Sequence, residues 1–146
     1  MFLWVDCEMT GLDFAKDSIL EIAVICTDFH LNEFFSGSWV IHKNNNELDS
    51  MNEFCLNLHK QSGLYDKCLI SNYNYIEAEE QIFELLKKHS VRKNIYIAGN
   101  SVYNDLLFIK KDFPKIYDWL HYRIMDVSTF KIINNFSGKK EFIKKK

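Results

Sequence analysis

The chain has 146 residues, the common size of one folded unit with a single hydrophobic core, and residues 1–146 are expected to form one domain. Hydrophobic residues make up 47%, charged residues 26% and aromatics 15%, which excludes disordered, collagen-like and low-complexity classes; no apolar run approaches the ~20 residues of a bilayer span. Net charge is −2, but five of the 18 basic residues lie in a closing basic tail, 137–146, and the rest carries 13 basic against 19 acidic residues. So acidic a body does not suit tracking along a long nucleic acid, whereas a short anionic substrate gripped locally remains open.

Phe2 to Glu8 reads as a strand, with no leader-like segment before it, which points to the cytoplasm. Ile19 to Asp28 reads as a second strand, nearly continuous in apolar residues and so expected to be buried on both faces, and Glu33 to His42 as a third. The short connectors suit antiparallel neighbours. Past the polar loop Asn44 to Asn46 the pattern turns helical, around Ser50 to Leu58 and then over Tyr75 to His89, where Asn74 and Glu77 can form a capping box. Ile95 to Ala98 is a short strand, Gly99-Asn100-Ser101 opens a helix holding Asp105, Leu106 and Ile109, and Pro114 ends that helix or starts the next. Tyr122 to Val127 reads as a fifth strand, followed by a short helix through Thr129 to Asn134. The order predicts an α/β fold with a mixed five-stranded sheet and flanking helices. Cys7, Cys26, Cys55 and Cys68 form no C-x-x-C pair and read as reduced thiols, not a zinc site.

Asp6 and Glu8 flank Cys7 in the first strand, so both carboxylates project from one face, about 6.6 Å apart at Cα. Two acids closing an apolar strand repel each other unless a cation lies between them, and oxygen-only ligands suit Mg²⁺ or Mn²⁺. A D-x-E spacing alone is common, and a solvated strand end is its plainer explanation. Asp105, near a helix start behind another strand, is either a third ligand or a partner of its helix dipole.

Val5-Asp6-Cys7-Glu8-Met9-Thr10-Gly11-Leu12-Asp13, Ile19-Leu20-Glu21-Ile22-Ala23, Ser62-Gly63-Leu64, Gly99-Asn100-Ser101 with Asp105, and His121-Tyr122-Arg123 with Asp126-Val127-Ser128-Thr129 follow one another along the whole chain. Together they resemble the oligoribonuclease family, part of the DEDDh exonuclease superfamily with an RNase H-like sheet. The resemblance implies a 3′ to 5′ exoribonuclease that degrades very short RNAs, down to dinucleotides, to mononucleotides with two divalent metal ions. It implies Asp6, Glu8 and Asp105 as metal-binding acids, and Ser101, Arg123, Ser128 and Thr129 as a cap over the substrate's 5′ phosphate. It further implies Leu12 as a wedge between bases, Phe54 as a stacking surface where the family has Trp, and Tyr122 as a residue reaching the site from the partner of a homodimer. Without the resemblance, Arg123 reads as a strand-edge ion pair, Ser128 and Thr129 as a helix N-cap, and Leu12 as a turn residue packed on the core.

The family's fourth acid and catalytic histidine come from a later H-x-x-x-x-D on a helix packing against the sheet, and no such element precedes Lys146. His121 and Asp126 have that spacing, but they belong to the H-Y-R-x-x-D-V-S-T element, where the local pattern reads as a strand and an odd offset puts them on opposite faces. His30, His42, His59 and His89 lack a suitably spaced acid, and His89 reads as a partner of its helix dipole. The sequence therefore reads as ending ahead of the general base, and the expectation is an oligoribonuclease relative that is inactive or nearly so in its 146-residue form. Three other readings stand beside it: a non-catalytic binder of short RNA or nucleotides, a decayed chain without a stable fold, and, less well matched, a proofreading subunit of DNA replication from the same superfamily.

Overall fold

The computed structural model describes residues 1–138. Alternation in β1 (Phe2–Met9) sets the architecture: Leu3, Val5 and Cys7 point one way and are buried, whereas Phe2, Trp4, Asp6 and Glu8 take the other face. β2 (Ile19–Thr27) and β3 (Glu33–Val40) follow as an antiparallel meander, and β4 (Tyr96–Gly99) and β5 (Ile124–Asp126) add in parallel on the far side of β1. The sheet order is β3-β2-β1-β4-β5, the mixed five-stranded sheet expected from the sequence.

α4 (Tyr75–His89), α5 (Tyr103–Asp112) and α6 (Pro114–Trp119) cover the face bearing Leu3, Val5, Ile22, Val24 and Ile97, with Phe108, Ile109, Phe113 and Ile116 at the centre of the shared core. The expected capping box of α4 is present, with Asn74 accepting from the Glu77 amide at 2.8 Å and Glu77 accepting from the Asn74 amide at 3.1 Å. Ile82 and Leu86 form its fully buried stripe. Buried Glu79 on the same helix accepts from the Lys115 and Ile116 amides, and so caps α6, which Pro114 opens.

Several boundaries differ from the sequence expectation. The polar stretch at Asn44 is the start of α1 (Asn45–Asp49), closed by a capping box between Asn44 and Glu47. The single helix expected over Ser50 to Leu58 is instead α2 (Glu53–Ser62), capped by Asn52, and α3 (Leu64–Ile70) follows. Gly63 joins those two helices in a left-handed conformation at φ 80°, which a residue with a Cβ adopts only under strain. β5 is shorter than Tyr122 to Val127 because Asp126 already caps α7 (Val127–Phe136), which is longer than Thr129 to Asn134.

The expectation that β2 is buried on both faces is wrong. Ile25 is 44% exposed and lies opposite Trp4, so this face of the sheet carries a half-open patch where the rings of Phe2, Trp4, Phe29 and Tyr96 pack against one another. β1 likewise is buried on one face only, and its acids occupy the open one. α7 buries none of its side chains. No described helix is long and apolar enough to cross a membrane. The basic tail expected at 137–146 lies outside the described residues from 139 onward.

Candidate active site

Asp6 and Glu8 stand at the C-terminal end of β1, both exposed, with Ala23 and Glu21 directly opposite them on β2. β4 pairs with β1 only as far as Trp4, so the amide of Cys7 lies past the paired stretch. Asp105, in the first turn of α5, reaches it: its Oδ1 accepts the Cys7 N–H at 2.9 Å, and the carboxylate is buried. Gly99 permits this approach, since a Cβ there would lie 2.8 Å from the Val5 carbonyl oxygen.

The three acids feel one another. Burial pushes the Glu8 carboxyl above its ordinary value, and Asp6, Glu21 and Asp105 add to the rise against an opposing pull from His59. Burial also raises Asp105, with Asp6 contributing, although the Cys7 amide works the other way. The buried Cys7 thiol is raised well above its usual range by burial and by Asp105. An oxygen-only donor set under mutual repulsion fits a hard divalent cation in its chemistry. Among the described residues, however, no three His, Cys, Asp or Glu side chains are grouped tightly enough to enclose an ion; Asp105 spends an oxygen on the Cys7 amide.

Beside Glu8 opens a hollow of about 400 Å³ lined by Leu12, Phe54, Leu58 and His59. Leu12 is 78% exposed on the β1–β2 loop, yet that loop is firmly tied: Asp17 accepts from the Thr10 hydroxyl and the Asp13 amide, both at 2.9 Å, and Thr10 in turn accepts from the Ser18 amide at 3.1 Å. An apolar side chain held out on a stapled loop is presented to something, not collapsed on the core as a plain turn residue would be. Phe54, 76% exposed, projects from the first turn of α2. His59 is 2% exposed and its Nε2 donates to the Met9 carbonyl at 2.8 Å.

The residues expected to hold a phosphate separate into two places. Ser101, at the turn leaving β4, and Ser128, in the first turn of α7, converge on the Asp126 carboxylate, and Thr129 follows Ser128. Tyr122 and Arg123 lie before β5, at the opposite end of that strand and about 10 Å along it from Asp126 at ~3.3 Å per residue. There His121 stacks between Tyr96 and Tyr122, with ring centroids at 4.6 and 4.5 Å, and the Arg123 guanidinium lies over the Tyr122 ring at 5.4 Å. His121 thus precedes β5, although the sequence reading took the pattern around it as a strand.

The exonuclease (RNase_T) family model matches residues 3–145. The chain is similar to the protein named "Probable oligoribonuclease" of Caenorhabditis elegans, 45% identical over 130 residues covering 88% of this chain and 67% of that one. The chain belongs to the oligoribonuclease family. The similarly named protein of Drosophila melanogaster is 46% identical over the same share of this chain, which spans only 62% of its length. In fold, this oligoribonuclease relative resembles a product-bound exonuclease I, with a TM-score of 0.67 at 18% identity over 92% of this chain and 31% of the other. That agrees with the RNase H-like sheet expected from the motifs.

Sequence reading of the oligoribonuclease motifs missed three contributors. Glu21 was noted only as part of a motif, though the antiparallel register puts it across from Glu8. His59 carries no local signal; it arrives because α2 packs under Met9. Asp126 was set aside as half of a false H-x-x-x-x-D pair, although an Asp just before Val-Ser-Thr at a strand end is a recognisable N-cap.

Proposed function

We propose that this oligoribonuclease relative acts on short single-stranded RNA of two to five nucleotides, with the hollow at the end of β1 as its 3′ to 5′ exonuclease site. The observation that carries this reading is the meeting of Glu8, Leu12 and Phe54 in one hollow beside a strand end that also holds Asp6 and the Asp105 contact. Leu12 separates two bases and Phe54 stacks on one, with a smaller area than an indole but the same π face. Ser101 and Thr129 donate to the 5′ phosphate, joined by Ser128 once its hydroxyl turns away from Asp126 and by Arg123 reaching back along β5, and Tyr122 enters the site of a second copy in a homodimer. Asp6, Glu8 and Asp105 would hold Mg²⁺ or Mn²⁺. When bound, that ion supplies the activation of water and the charge neutralisation that phosphodiester hydrolysis needs. An aqueous compartment such as the cytoplasm suits such a substrate.

A second reading, binding with little or no turnover, has one specific observation in its favour. His59 lines the same hollow as Glu8, and its Nε2 already donates its proton to the Met9 carbonyl, which leaves Nδ1 alone of its ring nitrogens to accept a proton from water. The test is incubation of the purified chain with a dinucleotide and Mg²⁺, following mononucleotide release and, separately, dinucleotide binding. Robust release that vanishes in Asp6→Ala establishes the exonuclease; binding without release establishes the second reading. Neither release nor binding sinks both.

A further inference from the structure

We propose that the outer edge of β3 is a docking site for an extended acidic peptide segment of another protein, which joins the sheet there as an added strand; this does not rest on the exonuclease reading. β3 ends the sheet order, so one side of its backbone has no neighbouring strand. Val40 turns its carbonyl outward, where the Ser71 hydroxyl donates to it, whereas the Ile41 amide turns inward to the Leu20 carbonyl at 2.8 Å. Backbone groups alternate in this way along an antiparallel ladder, and the register with β2 is regular from Phe35 to Val40, so Ser38 and Ser36 also aim N–H and C=O outward.

A bare edge invites pairing, and edge strands are ordinarily guarded by lysine, proline or a covering segment. Phe35 to Trp39 holds neither lysine nor proline nor any other charged residue. The covering segment stops short: Tyr73 bridges Ile41 in parallel and accepts the His42 amide at 2.7 Å, and α4 then leads the chain away from Tyr75 onward. That bridge shows the edge accepting an extended segment, and it leaves Phe35 to Trp39 open.

The surroundings state what the incoming strand carries. Successive strand residues point to opposite faces, and a hollow lies on each face here. On the core face, Trp39 with Gln81, Leu85 and Lys88 of α4 lines about 520 Å³; on the open face, Ser38 and Val40 with Lys67, Ile70 and Tyr73 line about 430 Å³. The first is a built feature. A Cβ on Gly37 would lie 2.6 Å from the Trp39 indole, so only glycine lets that ring fold back over the strand, and its Nε1 donates to Gln81 at 2.8 Å. Each hollow is largely apolar and has one lysine, Lys88 or Lys67, that pairs with no acid among the described residues; Glu84 and Glu80 beside Lys88 are taken by Lys87 and Lys115. A strand with apolar side chains on both faces and acids next to them complements both hollows. A second copy of β3 does not, because Phe35 to Trp39 contains no acid and turns two serines to the open face.

The experiment is a fluorescence-anisotropy titration of the full chain with a labelled, end-blocked peptide, Glu-Glu-Ile-Val-Ile-Glu-Glu. It is expected to bind, and its counterpart with Lys for Glu to bind about tenfold more weakly. N-methylation of alternate peptide amides separates an added strand from mere apolar adhesion: methylating one alternate set abolishes binding and methylating the other does not. Ser36→Pro and Ser36→Lys, at an exposed site on the open edge, are expected to weaken binding about tenfold. Lys67→Glu/Lys88→Glu should reverse the preference toward the lysine peptide. Absence of binding, equal binding of the acidic and lysine peptides, equal effects of the two methylated sets, or undiminished binding in Ser36→Lys overturns the proposal. If Ser36→Pro does not fold, Ser36→Lys decides. Sedimentation in which either Ser36 variant dissociates a dimer of this chain also overturns it, in favour of a second copy on this edge.

Discussion

Replacing Asp105 separates its two physical roles, as hydrogen-bond acceptor and as negative charge. Asp105→Ala strips the Cys7 amide of its partner, in a place where Cys7 is buried and β4 does not extend far enough along β1 to replace the carboxylate. An unpaired buried N–H costs about 1–3 kcal/mol. In a protein of this size that lowers the thermal midpoint by ~2–4 °C per kcal/mol, a fall of ~2–12 °C. Asp105→Asn keeps an accepting oxygen and loses the charge, and it should be at least as stable as wild type at neutral pH without divalent ions. The pH dependence follows from the sign of the shift. Burial and Asp6 raise the folded-state carboxyl above its unfolded value, so the folded state takes up its proton first, and wild type gains relative stability as pH falls. The advantage of Asn over Asp is therefore present near pH 7, shrinks through the raised folded-state value, and is gone below the unfolded value near pH ~3.9. Urea unfolding of the three proteins at pH 7, 5.5 and 4.5 reads both effects. An Asn variant as unstable as the Ala variant at pH 7 would refute the reasoning, because the acceptor would then not be what Cys7 requires.

Adding Mg²⁺ should raise the thermal midpoint of wild type by mass action and leave Asp6→Asn/Glu8→Gln unmoved, as measured by scanning fluorimetry with Na⁺ at matched ionic strength. Leu12→Ala should leave stability within ~0.5 kcal/mol, because the side chain is exposed, yet weaken dinucleotide binding about tenfold by removing the apolar wedge. Gly99→Ala should cost ~1–3 kcal/mol in urea unfolding, since the added carbon meets the Val5 carbonyl and cannot turn away from backbone. The exposed apolar side chains of α7 should bind a hydrophobic dye in the native state, and Ile133→Ser/Phe136→Ser should lower that signal without moving the thermal midpoint by more than ~2 °C.

Much of this fold was legible because its signals are local. Asn74 with Glu77 marks the start of α4 by chemistry confined to four residues, and the same pattern at Asn44 and Glu47 was present but read as a polar loop because α1 is so short. What escaped depends on partners distant in the chain. Whether β2 is covered on one face or two is decided by which helices arrive, and its run of apolar residues looks the same either way. The site divides along that line too. Asp6 and Glu8 declare their shared face by spacing, and Gly99 marks a place where the Val5 carbonyl leaves no room for a side chain, but the distance from Arg123 to Ser128 depends on how far β5 extends before Asp126 caps α7.

Strand alternation also explains why the acids sit where they do. A strand that presents two carboxylates to a solvent groove must turn the residue between them inward, and here that residue is Cys7, small and apolar enough to pack in the core. Cys7 also lies beyond Trp4, the last β1 residue that β4 pairs with, and its amide on that side needs another acceptor. The acceptor that reaches it is the carboxylate of Asp105, carried on a helix that the closeness of Gly99 to β1 allows to begin there. One hydrogen bond thus meets a requirement of the backbone and brings a third negative charge to the strand end, so that stabilising this corner and concentrating its charge are the same structural event.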